Sequence, residues 1–429
     1  MPKLLSIITP SFNHASYIRQ TIESVLAQDY PAVEHIVVDG GSTDGTVEIL
    51  REYGARHPDR FRWVSEPDRG QSHAFNKGLA MACGEFIGWQ NSDDYYYPNV
   101  FAEAIRYLMA HPEAAAVYSD LHVLDADGSL VPQPWAGGAF DLGRLLDNNF
   151  IANQTAFFRR DALVTLGGVD EDRHYAMDYD LYLRLGLRFR LTYLPGLRGV
   201  WRELPTVKTV AGLTKALTER VEIIEWVLKD PLLPANLVRP GMEAFERHVF
   251  SALLESLLAG EDMGAIAMVR RAFGQDGHVH QWRHLYRSLV IHERMASYWS
   301  GMEDDQAAAS TPARLLRLLH ELGYGRSPEA AALATMASLS AIVRHGQGDS
   351  LRRATSSLVR LVVTDPSGLA YLGSLVLLCR LCRDEPRAGM LRRAIVALQL
   401  QRADSERQPL IRAYRMVRAL SGAARTVPA

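Results

Sequence analysis

Cysteine is scarce in this chain of 429 residues: Cys83, Cys379 and Cys382 are its only thiols. That number builds no disulfide framework and fits a reducing compartment. Long apolar runs are missing too. The most hydrophobic stretch, Ser367 to Cys379, falls short of the roughly 20 residues that cross a bilayer, so no spanning helix is expected. Neither sign of charge dominates, the formal net charge being −2, which argues against a nucleic-acid-binding protein. No Gly-x-Gly-x-x-Gly and no Walker sequence occurs, and dinucleotide and P-loop chemistry lose their support. The opening residues, Met-Pro-Lys-Leu-Leu-Ser-Ile-Ile, run into a strand pattern without the features of a signal peptide, so a cytoplasmic location is expected.

What is present is a soluble globular composition, 48% hydrophobic and 22% charged, at a length beyond what one hydrophobic core organises. Two domains are expected, residues 1–210 and 211–429. In the first, strand-like and helix-like segments alternate, the pattern of βαβ units and a mostly parallel sheet. Leu4 to Thr9, Glu34 to Asp39, Phe61 to Glu66 and the run from Gly84 toward Asp93 read as strands. Ile18, Ile22, Val25 and Leu26, and later Phe101, Ile105 and Leu108, form apolar helix stripes. Ala114 to Leu124 and Ser129 to Val131 read as a hairpin, Thr155 to Arg159 as a strand and Met177 to Leu187 as a helix. In the second domain, alternation gives way to Leu, Ala and Arg at helical spacing, with helices expected at Leu213 to Leu228, Met242 to Leu258 and Thr311 to Leu322. The fold class is therefore α/β with an α-helical C-terminal region.

Three successive strand ends bring Thr9 to Asn13, Asp39 to Asp44 and Asn91 to Asp94 to one edge of the sheet, where an α/β fold places its ligand crevice. Asp93 and Asp94 at one tip suit a hard divalent cation such as Mg²⁺ or Mn²⁺, which holds one or two protein carboxylates while bridging substrate phosphates. Asp-Asp is equally a strand-ending or helix-capping pair. Asp39 reads either as a turn-stabilising aspartate that caps the following helix or as an acceptor for a nucleobase imide. Asp178 opens a helix, where the macrodipole favours a carboxylate; the functional alternative is a general base for an incoming hydroxyl. Arg69 and Lys77 follow the third strand and read either as cations for a diphosphate or as solvated surface residues. His278, His280 and His284 lack the further ligands of a zinc site, and Cys379-Arg-Leu-Cys382 sits in an apolar helical run and reads as core.

Taken together, Thr9-Pro-Ser-Phe-Asn13, Val38-Asp-Gly-Gly-Ser-Thr-Asp-Gly45, Ser65-Glu-Pro-Asp-Arg-Gly70, Asn76-Lys-Gly78, Asn91-Ser-Asp-Asp94 and Met177-Asp-Tyr-Asp-Leu181 resemble the family-2 glycosyltransferases of the GT-A fold. The resemblance covers roughly residues 3–210. It implies a nucleotide-diphosphate-sugar donor, a UDP-sugar first among the candidates, gripped by Thr9, Pro10, Phe12 and Asn13, with Asp39 on the base and Asp68, Arg69 and Lys77 beside the diphosphate. Asp93 would lie by the ribose or sugar and share the metal, Asp94 would hold it, and Asp178 would be the base of an inverting displacement onto a saccharide or lipid-linked saccharide hydroxyl. The setting implied is bacterial surface polysaccharide synthesis. One departure stands out: where family members often carry a histidine after the base helix, Trp201-Arg-Glu-Leu-Pro205 has Leu204.

From Ser350 onward the chain has fourteen arginines, no lysine and five acids. A basic amphipathic surface of this kind is read as a peripheral contact with the inner face of the cell membrane, or else as a solvated helical face. The rival reading of the whole chain is a non-catalytic sugar-nucleotide or glycan-binding module with a helical partner-binding tail. A nucleotidyltransferase is disfavoured, because Pro-Ser-Phe-Asn follows the first strand instead of a Gly-rich basic loop.

Overall fold

The computed structural model describes residues 2–125, 128–133, 136–203, 212–258 and 261–273. Seven residues of unbroken burial make β1 (Leu5–Ser11) a central strand. Its side chains alternate between two cores, as a strand requires. Leu5 and Ile7 pack with Phe86, Phe101, Ile105 and Phe157; Ile8 packs with Val38, Phe75, Trp89 and Tyr182. β2 (Val33–Asp39) and β3 (Phe61–Ser65) extend the sheet in parallel on one side and β4 (Phe86–Trp89) on the other, giving the order β3-β2-β1-β4. Parallel pairing sends all their carboxyl ends to one edge.

The connecting helices are α1 (Ile18–Leu26), α2 (Thr46–Arg56) and α3 (Gln71–Met81). α3 approaches β1 closely because position 78 is glycine, where a Cβ would collide with a methyl group of Ile8. Phe75 on α3 packs on Trp89 with ring centroids 4.3 Å apart. Both rings are fully buried, a contribution of about 2–3 kcal/mol each.

Beyond β4 come β5 (Tyr95–Tyr96), α4 (Phe101–Ala110), β6 (Ala114–Leu124), β7 (Leu130–Pro132), α5 (Leu142–Asp147), a 3-10 turn at Asn153–Thr155, β8 (Phe157–Arg159), α6 (Arg160–Thr165), α7 (Met177–Arg188) and β9 (Arg190–Arg202). The sheet continues β4-β8-β6-β9-β5, and β7 pairs with β6 as the expected hairpin. The sheet is parallel from β3 to β4 and mixed beyond, since β8 runs antiparallel to both β4 and β6 while β9 runs parallel to β6. β9 escaped the sequence reading: Pro195 and Gly196 interrupt its pattern, and its pairing with β6 shifts register between Ala114 and Ala116 and around Asp120.

α8 (Leu213–Val227), α9 (Ala235–Leu258) and α10 (Asp262–Phe273) follow. The first compact unit ends at Phe245 and the second begins at Glu246. Ile223, Ile224, Val227, Leu233 and Ala244 belong to the same apolar cluster as Ile8 and Trp89, so the first unit reaches past the change in sequence pattern near residue 210. The expected helix from Thr311 to Leu322 and the basic segment from Ser350 lie outside the described residues. Among the described residues no helix is long and apolar enough to cross a membrane.

Candidate active site

At the first two strand tips the polar groups are knitted to one another. Asp39 is fully buried. Its Oδ2 accepts from the backbone N–H of Gly41 (3.1 Å) and Ser42 (2.9 Å) and from Ser65 Oγ (2.7 Å), and its Oδ1 from Ser42 Oγ (2.5 Å). Three of these four donors belong to the turn, which Gly41 permits at φ +85°, and the fourth, Ser65, ends β3. Asp39 stabilises its turn but does not cap the helix that follows, whose N-cap is Gly45. Asn13 ties the tips together, with Oδ1 accepting from Thr43 N–H at 3.0 Å and its own N–H donating to Ser42 Oγ at 2.7 Å. Thr9 is buried and shares a 2.9 Å hydrogen bond with His35 Nε2, while Pro10 pairs in register with Val38 inside the sheet. Phe12 differs from these: its ring is 58% exposed, and it lies over Gly40 beside Asp68, so that a Cβ on Gly40 would crowd both.

The adjacent aspartates face different surroundings. Asp94 is 1% exposed, its Oδ2 accepting from Gln154 Nε2 (2.6 Å) and Asn91 Nδ2 (3.0 Å) and its Oδ1 from the Arg202 N–H (2.8 Å). Burial, and then the charge of Asp93, push the Asp94 carboxyl well above the usual range. Asp93 is half-buried, and no described protein group donates to its carboxylate. Its backbone oxygen accepts from Arg202 Nε at 2.9 Å. Asp94 Oδ2 is thus taken by Gln154 and Asn91, while its Oδ1 accepts the Arg202 N–H alone. Among the described residues no three His, Cys, Asp or Glu side chains gather into a metal cage.

Asp178 stands in the first turn of α7. It is half-buried, with Oδ2 accepting from Asn149 Nδ2 (3.1 Å) and Oδ1 from Tyr179 N–H (2.8 Å). Burial raises its pKa above the ordinary carboxylate value, against the opposing charge of Arg220 and these hydrogen bonds. The segment 149–154 links this acid to the strand-tip pair: Asn149 holds Asp178, Asn153 Nδ2 donates to Asn91 Oδ1 at 3.1 Å, and Gln154 holds Asp94. Through these contacts one short segment ties Asp178 to the strand-tip pair.

The loop after β3 is bound up in ion pairs. Arg69 pairs with Glu171, Lys77 Nζ with Glu66 Oε1 at 2.8 Å, and Asp68 Oδ1 accepts from Gly70 N–H at 2.7 Å. Asn76 grips Val169 through both backbone groups, at 2.8 and 2.9 Å. These contacts carry the loop that leads into α7.

A model described as Glycosyl transferase family 2 matches residues 6–166, and an uncharacterized glycosyltransferase of Mycobacterium tuberculosis is 32% identical over 187 residues, 43% of this chain and 69% of that protein. The chain belongs to glycosyl transferase family 2. This family-2 glycosyltransferase is also 31% identical over 182 residues, 42% of its length, to a chondroitin synthase of Escherichia coli, of which the match spans 26%. Among solved structures, the mannosyltransferase PcManGT from Pyrobaculum calidifontis in complex with GDP-Man and Mn²⁺ aligns at 21% identity and a TM-score of 0.49, over 76% of this chain and 89% of that one.

Within this family-2 chain, sequence reading missed Asn149, Gln154, Arg202, Glu219 and Arg220. Asn149 and Gln154 lie just before the expected strand Thr155 to Arg159, and Arg202 stands in the motif whose histidine position is Leu204, outside the described residues. Arg202 further donates to Gln20 at 2.6 Å and lies 5.0 Å from the centroid of the Tyr17 ring. Nothing in the local sequence marks Glu219 or Arg220.

Proposed function

We propose that the chain transfers a sugar from a nucleotide-diphosphate-sugar donor, a UDP-sugar in the first instance, to a saccharide or lipid-linked saccharide hydroxyl by a single inverting displacement. The observation that carries this reading is Asp178: a carboxylate oriented by Asn149 and the Tyr179 N–H and tied through the segment 149–154 to the strand-tip pair, with its pKa raised by burial. A general base must lie within about 3 Å of the proton-bearing oxygen and works best when its basicity approaches the working pH. Asp178 takes the acceptor's proton as its oxygen attacks the anomeric carbon on the face opposite the leaving diphosphate. One such displacement inverts that carbon and needs no enzyme nucleophile.

The donor lies along the strand tips. Its base stacks on the exposed Phe12 ring over Gly40, above a turn that Asp39 keeps rigid. The residues present fit a divalent cation, which Asp94 would hold through its Oδ1, where only the Arg202 N–H donates, with Asp93 beside it as a second carboxylate. Such an ion supplies a Lewis acid for the charge developing on the leaving diphosphate. Asp68, Arg69 and Lys77 shape the neighbouring loop through their pairs with Gly70, Glu171 and Glu66. Polysaccharide synthesis at the inner face of the cell membrane, with the basic C-terminal segment contacting anionic lipid, completes the proposal; a low-salt liposome sedimentation assay that finds no binding removes that last part.

The test is a panel of nucleotide sugars assayed for Mn²⁺-dependent turnover with wild type and Asp178→Asn. Turnover by the wild type, lost in the variant with donor affinity retained, is the expected result. Donor binding without turnover across the panel and added saccharide acceptors would favour the binding-module reading. A marked loss of donor affinity in Asp178→Asn removes that residue from the role of base.

A further inference from the structure

The helix that carries Asp178 has no cap of its own. Ala176 stands at the N-cap of α7 and offers no side-chain acceptor. The peptide that leads into the helix is held instead from α8. The Glu219 carboxylate accepts from three consecutive backbone N–H groups, His174 through Oε1 and Tyr175 and Ala176 through Oε2, each at 2.8 Å. Successive N–H groups converging in this way form an anion nest, and bonds to an ionised acceptor are the strong kind.

The rest of α8 follows the same design. Glu222, three residues on, pairs with Arg173 at 2.5 Å. Arg220 lies 5.5 Å from the Tyr179 ring centroid, next to the base. Just before the helix, Gly212 leaves room for the Tyr175 ring, with which any Cβ would collide. From the opposite side Asn76 holds Val169, and Ser72 Oγ donates to the Arg173 carbonyl at 2.6 Å. The segment 169–176 is therefore clamped between α3 and α8, and Asp178 is the second residue beyond the clamp.

We propose that Glu219 is a positioning residue for glycosyl transfer, fixing the peptide before α7 and with it the Asp178 carboxylate. Arg220, over the Tyr179 ring, adds a positive charge that opposes the rise in the Asp178 pKa. This rests on the reading of Asp178 as the base. It also makes α8 part of the transferase unit, although the helix lies beyond the residues that match the family model and beyond the sequence boundary at 210.

The experiment compares Glu219→Gln, Glu219→Asp, Arg220→Gln and Asp178→Asn in the full chain, with thermal melts to verify folding and kcat measured against pH. Glu219→Gln keeps the size but puts an amide donor against backbone donors, and its kcat should fall about tenfold or more, since misplacing a catalytic group by about 1 Å can cost ~10²-fold. Donor KM should stay within about twofold, as expected when only transition-state interactions are lost. Glu219→Asp should recover part of the rate, and Arg220→Gln should move the acid limb of kcat to higher pH. A folded Glu219→Gln with wild-type kcat overturns the inference, as does an unmoved acid limb in Arg220→Gln. If Glu219→Gln does not fold, Glu219→Asp decides: an unchanged kcat overturns the inference, and a reduced kcat at constant donor KM supports it. Should Asp178→Asn retain transfer, the base reading itself fails; should it lose transfer while every Glu219 and Arg220 variant behaves as wild type, the positioning inference alone fails.

Discussion

The strand-tip turns and the segment that carries Asp178 are held by different means. At the first strand tips, Asp39 caps N–H groups two and three residues away, and Asp44 caps Thr46 at 3.1 Å. The Asp178 side leans more on distant residues: beside its local bond from the Tyr179 N–H, Asp178 takes a side-chain hydrogen bond from Asn149, 29 residues back, and the peptide before it is held by Glu219, 43 to 45 residues ahead of the groups it binds. The Asp39 turn is largely a short-range motif, whereas the placement of Asp178 depends on the assembled unit. The largest expected effect tests the exposed end of that contrast. Asp178→Asn keeps the shape and removes the proton acceptor, so kcat should fall by on the order of 10²–10⁴, the usual worth of general base catalysis. Because burial raises the Asp178 pKa, the acid is protonated at the low end of the profile and the wild-type kcat should rise with pH through a value above the ordinary aspartate range. A flat acid limb breaks the comparison on the base side.

The strand-tip side is broken by stability instead of rate. Asp39→Ala deletes the acceptor for two backbone N–H groups and two hydroxyls in a fully buried place. Stranded buried donors cost about 1–3 kcal/mol each, and with partial relaxation the loss should be roughly 3 kcal/mol in a urea melt. A change below about 1 kcal/mol, no more than one ordinary hydrogen bond contributes, shows that the turn holds without its cap.

The same contrast explains what the sequence made legible. β1, β2 and β4 were readable because their apolar runs end at Asn13, Asp39 and the aspartate pair, and parallel pairing then carries those ends to one edge. Asp178 was readable from its motif. The inward placement of Asp94 was not, because it depends on Gln154 and Arg202, which lie 60 and 108 residues away. β9 was hidden by Pro195 and Gly196 and by register shifts that only the partner strand reveals. Glu219 reads as an ordinary surface acid on an amphipathic helix; only its contact with three N–H groups of another segment gives it meaning. Short-range chemistry leaves a signature in the string, and a long-range contact does not.

A smaller effect probes the interior of the strand-tip side. His35 is fully buried under Thr9, and desolvation pushes its pKa down from 6.5 to about 3. The folded chain therefore keeps the ring neutral while the unfolded chain protonates it, so stability is full above pH ~6.5 and declines as pH falls toward ~3. At about 1.4 kcal/mol per unit, acidification to pH 5 should destabilise the wild type by roughly 2 kcal/mol more than His35→Gln, in which this group is gone. Equal pH dependence of the two proteins means that the ring is not isolated from solvent.

The smallest effect decides whether a cation next to the crevice acts on the donor. Lys77 is paired with Glu66 at 2.8 Å, on side chains 23% and 55% exposed. If the ammonium served the diphosphate, Glu66 would compete with the donor, and Glu66→Gln would lower donor KM and steepen its dependence on salt, since an unpaired cation attracts phosphate over a Debye length of about 8–10 Å. If the pair only shapes the loop, releasing Lys77 changes little, as exposed ion pairs contribute little in water. We expect the second result, a change in donor KM under about twofold, because the strand-tip side already holds its groups through bonds among its own residues. A several-fold tighter KM that vanishes in the double variant Glu66→Gln, Lys77→Met would transfer Lys77 from the scaffold to the donor site, and the strand-tip side would then share the base side's reliance on charges brought from outside its turns.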